Sequence, residues 1–204
     1  MSAMRFFALL LAAAPLATGF LAPAFPAESA EKDVIVEQPD TNASPKQRLD
    51  NLYAQLKRER DPEKANGIAQ EIRTEWNDSG SATVNLLMQW ADKAIEDKRS
   101  AAALDFLDQA IALKPTYAES WNRRATLNYA SGNYRKSMSD IEHVLDLDPR
   151  HFGALSGMAA ILNDTGNDQL TLKAWERFLD VFPANRTAQE QVNTLSEKLA
   201  GSRT

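Results

Sequence analysis

Three segments of the chain end in a proline: Ile111-Ala-Leu-Lys-Pro115, Leu145-Asp-Leu-Asp-Pro149 and Asp180-Val-Phe-Pro183. The prolines are 34 residues apart, and each closes an apolar run of helical character. An interval of this length with a terminal proline is typical of stacked helix–turn–helix units. Such stacks form binding surfaces, so the pattern predicts an interaction protein and leaves its partner open.

The composition fits one packed domain and excludes several classes of function. The chain has 204 residues, of which 44% are hydrophobic and 25% charged, so it can bury a core. Its net charge of −5 argues against a nucleic-acid partner. With no cysteine, disulfides, thiolate zinc sites and a cysteine nucleophile are excluded. The two histidines, His143 and His151, have no partner at ligand spacing, so we expect neither a metal nor another cofactor.

The first 24 residues are typical of an export signal. Arg5 precedes an apolar run, and Ala22-Pro23-Ala24 fits a cleavage site, although cleavage near Ala27 is an alternative. The run is short for a membrane span and contains Pro15 and Gly19. We therefore expect a periplasmic protein, with an uncleaved anchor as the alternative.

Residues 25–43 lack a sustained period and are interpreted as a flexible linker. A helical hairpin is predicted over 44–81, because Ser44-Pro45-Lys46-Gln47 forms a capping box and Asp61-Pro62 starts a second helix. This hairpin lacks the terminal proline. It is either a degenerate repeat or an N-terminal cap.

Three repeat units are predicted at 84–117, 118–151 and 152–183. In each, a small residue (Ala91, Ala125 or Ala159) marks the point where the two helices approach closely. Other features assigned by position are turn glycines at Gly132 and Gly166, a capping box of Thr116 with Glu119, caps at Asn133 and Asn167, and core tryptophans at Trp76, Trp90, Trp121 and Trp175. A final amphipathic helix over 184–200 is expected to cover the end of the array.

Residues 84–183 resemble the tetratricopeptide repeat family, since the three units agree in register. The resemblance implies an all-α, right-handed solenoid of antiparallel helix hairpins that does not act as an enzyme. Residues 121–125, 140–145 and 149–154 also resemble small exported tetratricopeptide proteins of Gram-negative bacteria. That narrower resemblance implies a role in the cell envelope.

In this architecture the first helix of each unit lines a concave groove. The predicted groove residues combine amides, hydroxyls, acids, a thioether, a phenol and an arginine: Asn85, Met88, Asp92, Glu119, Asn122, Arg123, Thr126, Tyr129, Ser156 and Asn163. Such a mixture suits a bound peptide or helix. The alternative is a solvated face without a ligand.

Family members that clamp a terminal carboxylate carry lysine, asparagine and arginine along this groove. Here the matching positions hold Met88, Asp92, Arg123, Gly153 and Gly157, so the clamp is absent. Arg124 falls at a core position and is expected to pair with a carboxylate. No nucleophile elbow, phosphate loop or paired-acid motif occurs.

The predicted function is therefore that of a non-catalytic periplasmic adaptor that binds a peptide or helix of an envelope protein. The alternative is a structural subunit that uses its convex face or its capping helix as the interface.

Overall fold

The structure is a computed structural model that describes residues 43–201. Across these residues the regular secondary structure is entirely α-helical, which confirms the predicted fold class. The helices are α1 (Pro45–Arg58), α2 (Pro62–Trp76), α3 (Ala82–Glu96), α4 (Ser100–Leu113), α5 (Ala118–Ala130), α6 (Tyr134–Leu147), α7 (Phe152–Asp164), α8 (Asp168–Val181) and α9 (Arg186–Gly201). The predicted signal segment and residues 25–42 of the predicted linker lie outside the described part. None of the described helices is long and apolar enough to cross a membrane.

The first two helices begin as their sequences predict. The Ser44 hydroxyl accepts the Gln47 backbone amide hydrogen, and the Gln47 side chain accepts that of Ser44 at 2.8 Å. The Asp61 carboxylate caps α2 by accepting from the amides of Glu63 and Lys64. Side chains thus satisfy amides that the first turn leaves without a helical partner.

The repeat helices begin differently from the prediction. Tyr117 is the N-cap of α5, and the Thr116–Glu119 capping box is not formed, because the Glu119 carboxylate is engaged by other side chains. Asn133 and Asn167 stand at N-cap positions, but their side chains accept no capping hydrogen bond.

The turns inside the three units share one backbone conformation. Gly132 and Gly166 have φ angles of 72° and 73°, as predicted, and Lys98 has a φ of 58° at the matching position of the first unit. A side chain is strained in this left-handed region, whereas glycine is not. The turn shared by the three units therefore requires a positive φ at this position, and Lys98 adopts it despite its side chain.

Each repeat unit is a packed pair of helices: α3 with α4, α5 with α6, and α7 with α8. Ala91, Ala125 and Ala159 are all buried, which confirms the close approach predicted at these positions. Neighbouring units stack through α4 on α5 and through α6 on α7. The last helix, α9, packs on α8 at this end of the array.

The apolar core of the hairpin α1–α2 is not shared with the first repeat unit. Its buried residues, such as Tyr53 and Ile72, share an apolar core with residues of α5 to α9, whereas α3 and α4 form a separate core. Helix α1 also contacts α8, in the third unit. The hairpin thus packs against the second and third units.

This placement corrects one core assignment. Trp90 was assigned to the core but is 47% exposed, and the hairpin shares its core with the second and third units instead. Trp76, Trp121 and Trp175 are partly buried against the larger core, in agreement with their predicted packing role.

Candidate functional site

The candidate site is the surface formed by the first helices of the three units. Helix α5 contacts α7, and an ion pair between Arg123 and Asp92 joins α5 to α3. The first helices of neighbouring units therefore lie side by side, as the groove prediction requires. This surface has two parts, one occupied by the chain itself and one open.

Arg123 lies at the centre of the occupied part. Its Nε donates to Glu119 Oε1 at 3.1 Å, and its terminal nitrogens donate to the carboxylate of Asp92 and to the side-chain oxygen of Asn77. These partners belong to α5, to α3 and to the residue that ends α2. Arg123 therefore ties the hairpin to two repeat units and holds the groove together from within.

Glu119 is the second member of this cluster. Its carboxylate accepts from Asn122 Nδ2 at 3.0 Å and from Arg123, and it lies 3.3 Å from His151 Nε2. Burial disfavours the charged form, but the neighbouring His151 and Arg123 outweigh it and hold the pKa of the Glu119 carboxyl below its usual range. The carboxylate is thus a fixed negative charge on the groove floor.

His151 was predicted to be a loop residue, and the structure gives it a structural role. The side chain is buried, and Nδ1 accepts the Ala154 amide hydrogen at 3.1 Å as the N-cap of α7. Nδ1 therefore carries no hydrogen in this arrangement, and Nε2 lies 3.3 Å from a Glu119 carboxylate oxygen. The imidazole also stacks on Trp76, with ring centroids 3.8 Å apart. The one sequence signal for this capping role is that His151 directly precedes the start of a predicted helix and lies three residues before Ala154.

Further contacts hold the hairpin against the start of α7. The Trp76 ring lies 4.5 Å from the Phe152 ring, and the Tyr53 hydroxyl donates to Asp148 at 2.9 Å. Arg150 lies over the Tyr53 ring at 4.2 Å and pairs with Asp50 at 2.8 Å. Burial and the nearby Asp148 carboxylate raise the pKa of Tyr53, so this phenol remains a hydrogen-bond donor.

Two other predicted groove residues are also engaged within the chain. Asn85 donates to Asp78 at 3.0 Å and accepts from the Ser79 amide at 2.9 Å, which fixes the segment between α2 and α3. Met88 was predicted to contact a partner, but it is 3% exposed. It packs in the first-unit core with Tyr117 and Leu127, so it is not a surface contact.

The remaining predicted residues, together with Asp92 at the border of the occupied part, form what we call the open groove: Asp92, Thr126, Tyr129, Ser156 and Asn163. Thr126 and Asn163 are exposed, and the Asp92 side chain is about half exposed. The Tyr129 hydroxyl donates to Asp164 at 2.8 Å, and this bond raises the pKa of the phenol. The open groove therefore offers two carboxylates and several neutral polar groups.

Arg124 pairs with carboxylates, as predicted. It donates to both oxygens of Asp140, at 3.0 and 2.6 Å, and to Asp108 at 2.7 Å, while its guanidinium stacks on Trp121. Asp140 is buried and Asp108 comes from the preceding unit. Arg124 is therefore part of the junction between units and not of the groove.

Among residues 43–201, no group of three or more His, Asp or Glu side chains is arranged to hold a metal ion. The charged residues of the site are instead paired with one another. Geometry of this kind fixes a surface in shape and presents hydrogen-bonding groups to a ligand.

Taken with the fold, the site defines a class of protein: an α-solenoid of helical hairpins with a polar concave surface. No family model matches the chain. A curated tetratricopeptide-repeat-containing protein of Rhizobium etli is 76% identical over 204 residues, the full length of both chains. The chain therefore belongs to the tetratricopeptide repeat family, whose members are generally non-catalytic scaffolds.

A more distant relative is the small glutamine-rich tetratricopeptide repeat-containing protein 2 of Mycosarcoma maydis, 24% identical over 126 residues. The match covers 62% of this chain and 36% of that protein, so the chain spans about a third of its length.

Solved structures agree with the assignment at the level of the fold. The first tetratricopeptide domain of Spaghetti, bound to an HSP90 peptide, has a TM-score of 0.55 at 20% identity and covers 59% of this chain and 95% of that one. The Sgt2 domain of Aspergillus fumigatus has a TM-score of 0.54 at 20% identity, covering 60% of this chain and 83% of that one.

Arg124→Ala is expected to reduce the free energy of unfolding by about 2–4 kcal/mol, because it leaves the buried Asp140 carboxylate without its cation. Urea denaturation followed by circular dichroism measures the loss. The control Arg135→Ala removes an exposed arginine of α6 and is expected to change stability by less than about 0.5 kcal/mol. Equal effects of the two substitutions would contradict the structural role of Arg124.

Trp76→Ala is expected to cost about 3 kcal/mol and to release the hairpin, because it removes the stacking on His151 and Phe152. Hydrogen exchange of α1 and α2 amides should become faster, while α3 and α4 amides keep their protection. Trp90→Ala is the matched control, since Trp90 is half exposed. Equal hydrogen-exchange rates of the α1 and α2 amides in the two variants would contradict the role of Trp76 in holding the hairpin.

Proposed function

We propose that this protein is a non-catalytic adaptor of the periplasm, and that it binds a peptide or helix of an envelope protein along the open groove. The observation that carries the proposal is the row of polar side chains that α5 and α7 leave wholly or partly exposed: Thr126, Tyr129, Ser156 and Asn163. A solvent-facing row of hydroxyls, amides and carboxylates can pair with the backbone and side chains of a bound segment.

The chemistry of the open groove indicates what kind of segment fits. Arg123 already donates from three nitrogens to neighbours in the chain, so the groove has no free arginine at its centre. Asp92 and Asp164 leave carboxylate oxygens at its surface. A segment with basic or neutral polar side chains therefore suits this surface better than an acidic one.

The relative solved with an HSP90 peptide supports peptide binding as an ability of the fold. The present groove differs in that Gly153 and Gly157 supply no side chain where a carboxylate clamp needs cations. A terminal carboxylate is thus not the feature we propose for recognition. The proposed ligand lies along the groove and is held by its backbone and side chains.

A substitution inside the open groove tests this function. Thr126→Arg places a bulky cation beside Tyr129, and we expect at least a tenfold loss of partner recovery when the tagged protein is isolated from its own cells after crosslinking. The fold should persist, because Thr126 is exposed and its hydroxyl bonds only the Asn122 carbonyl among its described contacts. Arg123 is not the residue to change, since it supports the fold.

Thr194→Arg, on the exposed side of α9, is the matched control. It should leave partner recovery unchanged. If Thr194→Arg lost the partner and Thr126→Arg retained it, binding in the groove would be rejected. That result would favour a structural subunit whose interface is the capping helix.

The proposed location rests on Arg5, the apolar run that follows it and Ala22-Pro23-Ala24. Removal of residues 2–24 should keep the protein in the cytoplasm, whereas the full chain should be released with the periplasmic fraction. Fractionation with antibody detection measures both. Retention of the full chain in the cytoplasm would reject export, and its recovery in the membrane fraction would favour an uncleaved anchor.

A further inference from the structure

Two tyrosines and an aspartate meet where the second and third units join, beside the open groove. The hydroxyls of Tyr129 and Tyr134 both donate to Asp164 Oδ2, at 2.8 and 3.0 Å. The centroids of the two rings lie 5.5 Å apart, and their planes are inclined by 24°. We call these three residues the tyrosine–aspartate cluster. They bring together the end of α5, the start of α6 and the end of α7.

The cluster is open to solvent. Asp164 is exposed, and both tyrosines are partly exposed. The hydrogen bond to Asp164 raises the pKa of each phenol, so both hydroxyls keep their hydrogens at neutral pH and remain donors to the carboxylate. The two donors share Oδ2, and no hydrogen bond within residues 43–201 engages Oδ1. One carboxylate oxygen is therefore left to accept from a ligand.

No cation in the described part of the chain pairs with this carboxylate. The phenols are neutral, so their hydrogen bonds do not cancel the charge of the aspartate. Arg135 and Lys136 follow Tyr134 on α6, but neither of them pairs with Asp164. The negative charge of Asp164 therefore stays uncompensated within residues 43–201.

The repeat register shows that the first unit supplies a cation where the third does not. Two repeats before Asp164 the chain has Glu96, which lies 3.7 Å from Lys93. Two repeats after Lys93 it has Ile161, which is buried. Lys93 lies in the last turn of α3, whereas the last turns of α5 and α7 contain no basic residue. Because the carbonyl end of a helix favours a positive charge, the ends of α5 and α7 suit a cation from a ligand.

We propose that the tyrosine–aspartate cluster is a subsite for a basic side chain, arginine or lysine, of the segment that lies along the open groove. The guanidinium or ammonium group pairs with Asp164 and lies against the exposed parts of the two phenol rings. Aromatic rings attract a cation within about 6 Å of the ring centroid. A neutral side chain gains neither interaction, and an acidic one is repelled. The subsite rests on the proposed groove function, because it takes a side chain of the bound segment.

A purely structural role is the alternative, since the same hydrogen bonds tie α5 and α6 to α7. Asp164→Asn separates the two roles. Asparagine retains an oxygen that accepts from the phenols, and only the charge is lost. A structural role survives this change, whereas the attraction of a cation does not.

Nuclear magnetic resonance of the full chain with isotope-labelled tyrosine rings measures binding to the subsite. The probes are blocked pentapeptides of glycine with arginine, lysine or glutamine at the centre. We expect the two basic peptides to shift the Tyr129 and Tyr134 signals and the glutamine peptide to leave them unchanged. The other two tyrosines, Tyr53 and Tyr117, are buried, so their signals are internal controls. If neither basic peptide shifted the cluster signals, or if the glutamine peptide shifted them equally, the proposal would be overturned.

The variant Asp164→Asn should weaken binding of the arginine peptide by about fivefold, the size expected for one exposed ion pair. Asp146→Asn is the matched control, because it removes the same charge from an exposed position on α6. We expect it to leave the dissociation constant unchanged. Equal weakening by the two substitutions would show attraction by overall charge alone and would reject the subsite.

The subsite and the groove function can fail separately. After crosslinking in cells, Asp164→Asn should reduce recovery of the partner, in the same direction as Thr126→Arg. If Thr126→Arg lost the partner and Asp164→Asn kept full recovery, the groove function would stand and the subsite would be rejected. If the basic peptides bound the cluster and Thr126→Arg kept full recovery, the cation site would stand and the groove function would be rejected.

Discussion

The stacking of Trp76 on His151 determines where the first hairpin lies, and the part of the groove that stays open follows from that position. His151 is held by its capping bond to α7 and by Glu119, so the imidazole presents a fixed plane to the indole. With the end of α2 bound there, the near part of the groove is occupied. The same placement keeps the hairpin off the first unit.

The cluster of Arg123, Glu119 and His151 is a largely buried polar arrangement inside a helical repeat, in which the Glu119 carboxylate lies against both other side chains. Transfer of such groups out of water is costly unless each charge is paired. Here Arg123 draws partners from three helical elements, and Glu119 contacts the side chains of Asn122, Arg123 and His151. The cluster thus helps to hold the hairpin in place, because Arg123 donates to Asn77 at the end of α2.

Sequence periodicity was sufficient for the repeat array, because each unit is built from local contacts between helices adjacent in the chain. The alanines at the crossing points, the glycine turns and the carboxylate partner of Arg124 were all predictable on this basis. The placement of α1–α2 was not, because a helical period identifies an apolar side without identifying the surface that receives it. The errors at Met88 and Trp90 have the same origin. Each position was assigned correctly within its helix, but its exposure depended on a neighbour distant in sequence.

The first two units differ in the polarity of the residues at equivalent positions. At equivalent positions, the first unit has the exposed Trp90 and the partly buried Phe106, whereas the second has the partly buried Arg124 and the buried Asp140. This reverses the usual relation between polarity and burial. A buried ion pair is tolerated in the second unit because Asp108 and Trp121 complete its contacts. Trp90 is instead about half exposed in the first unit, where no preceding unit supplies partners of this kind.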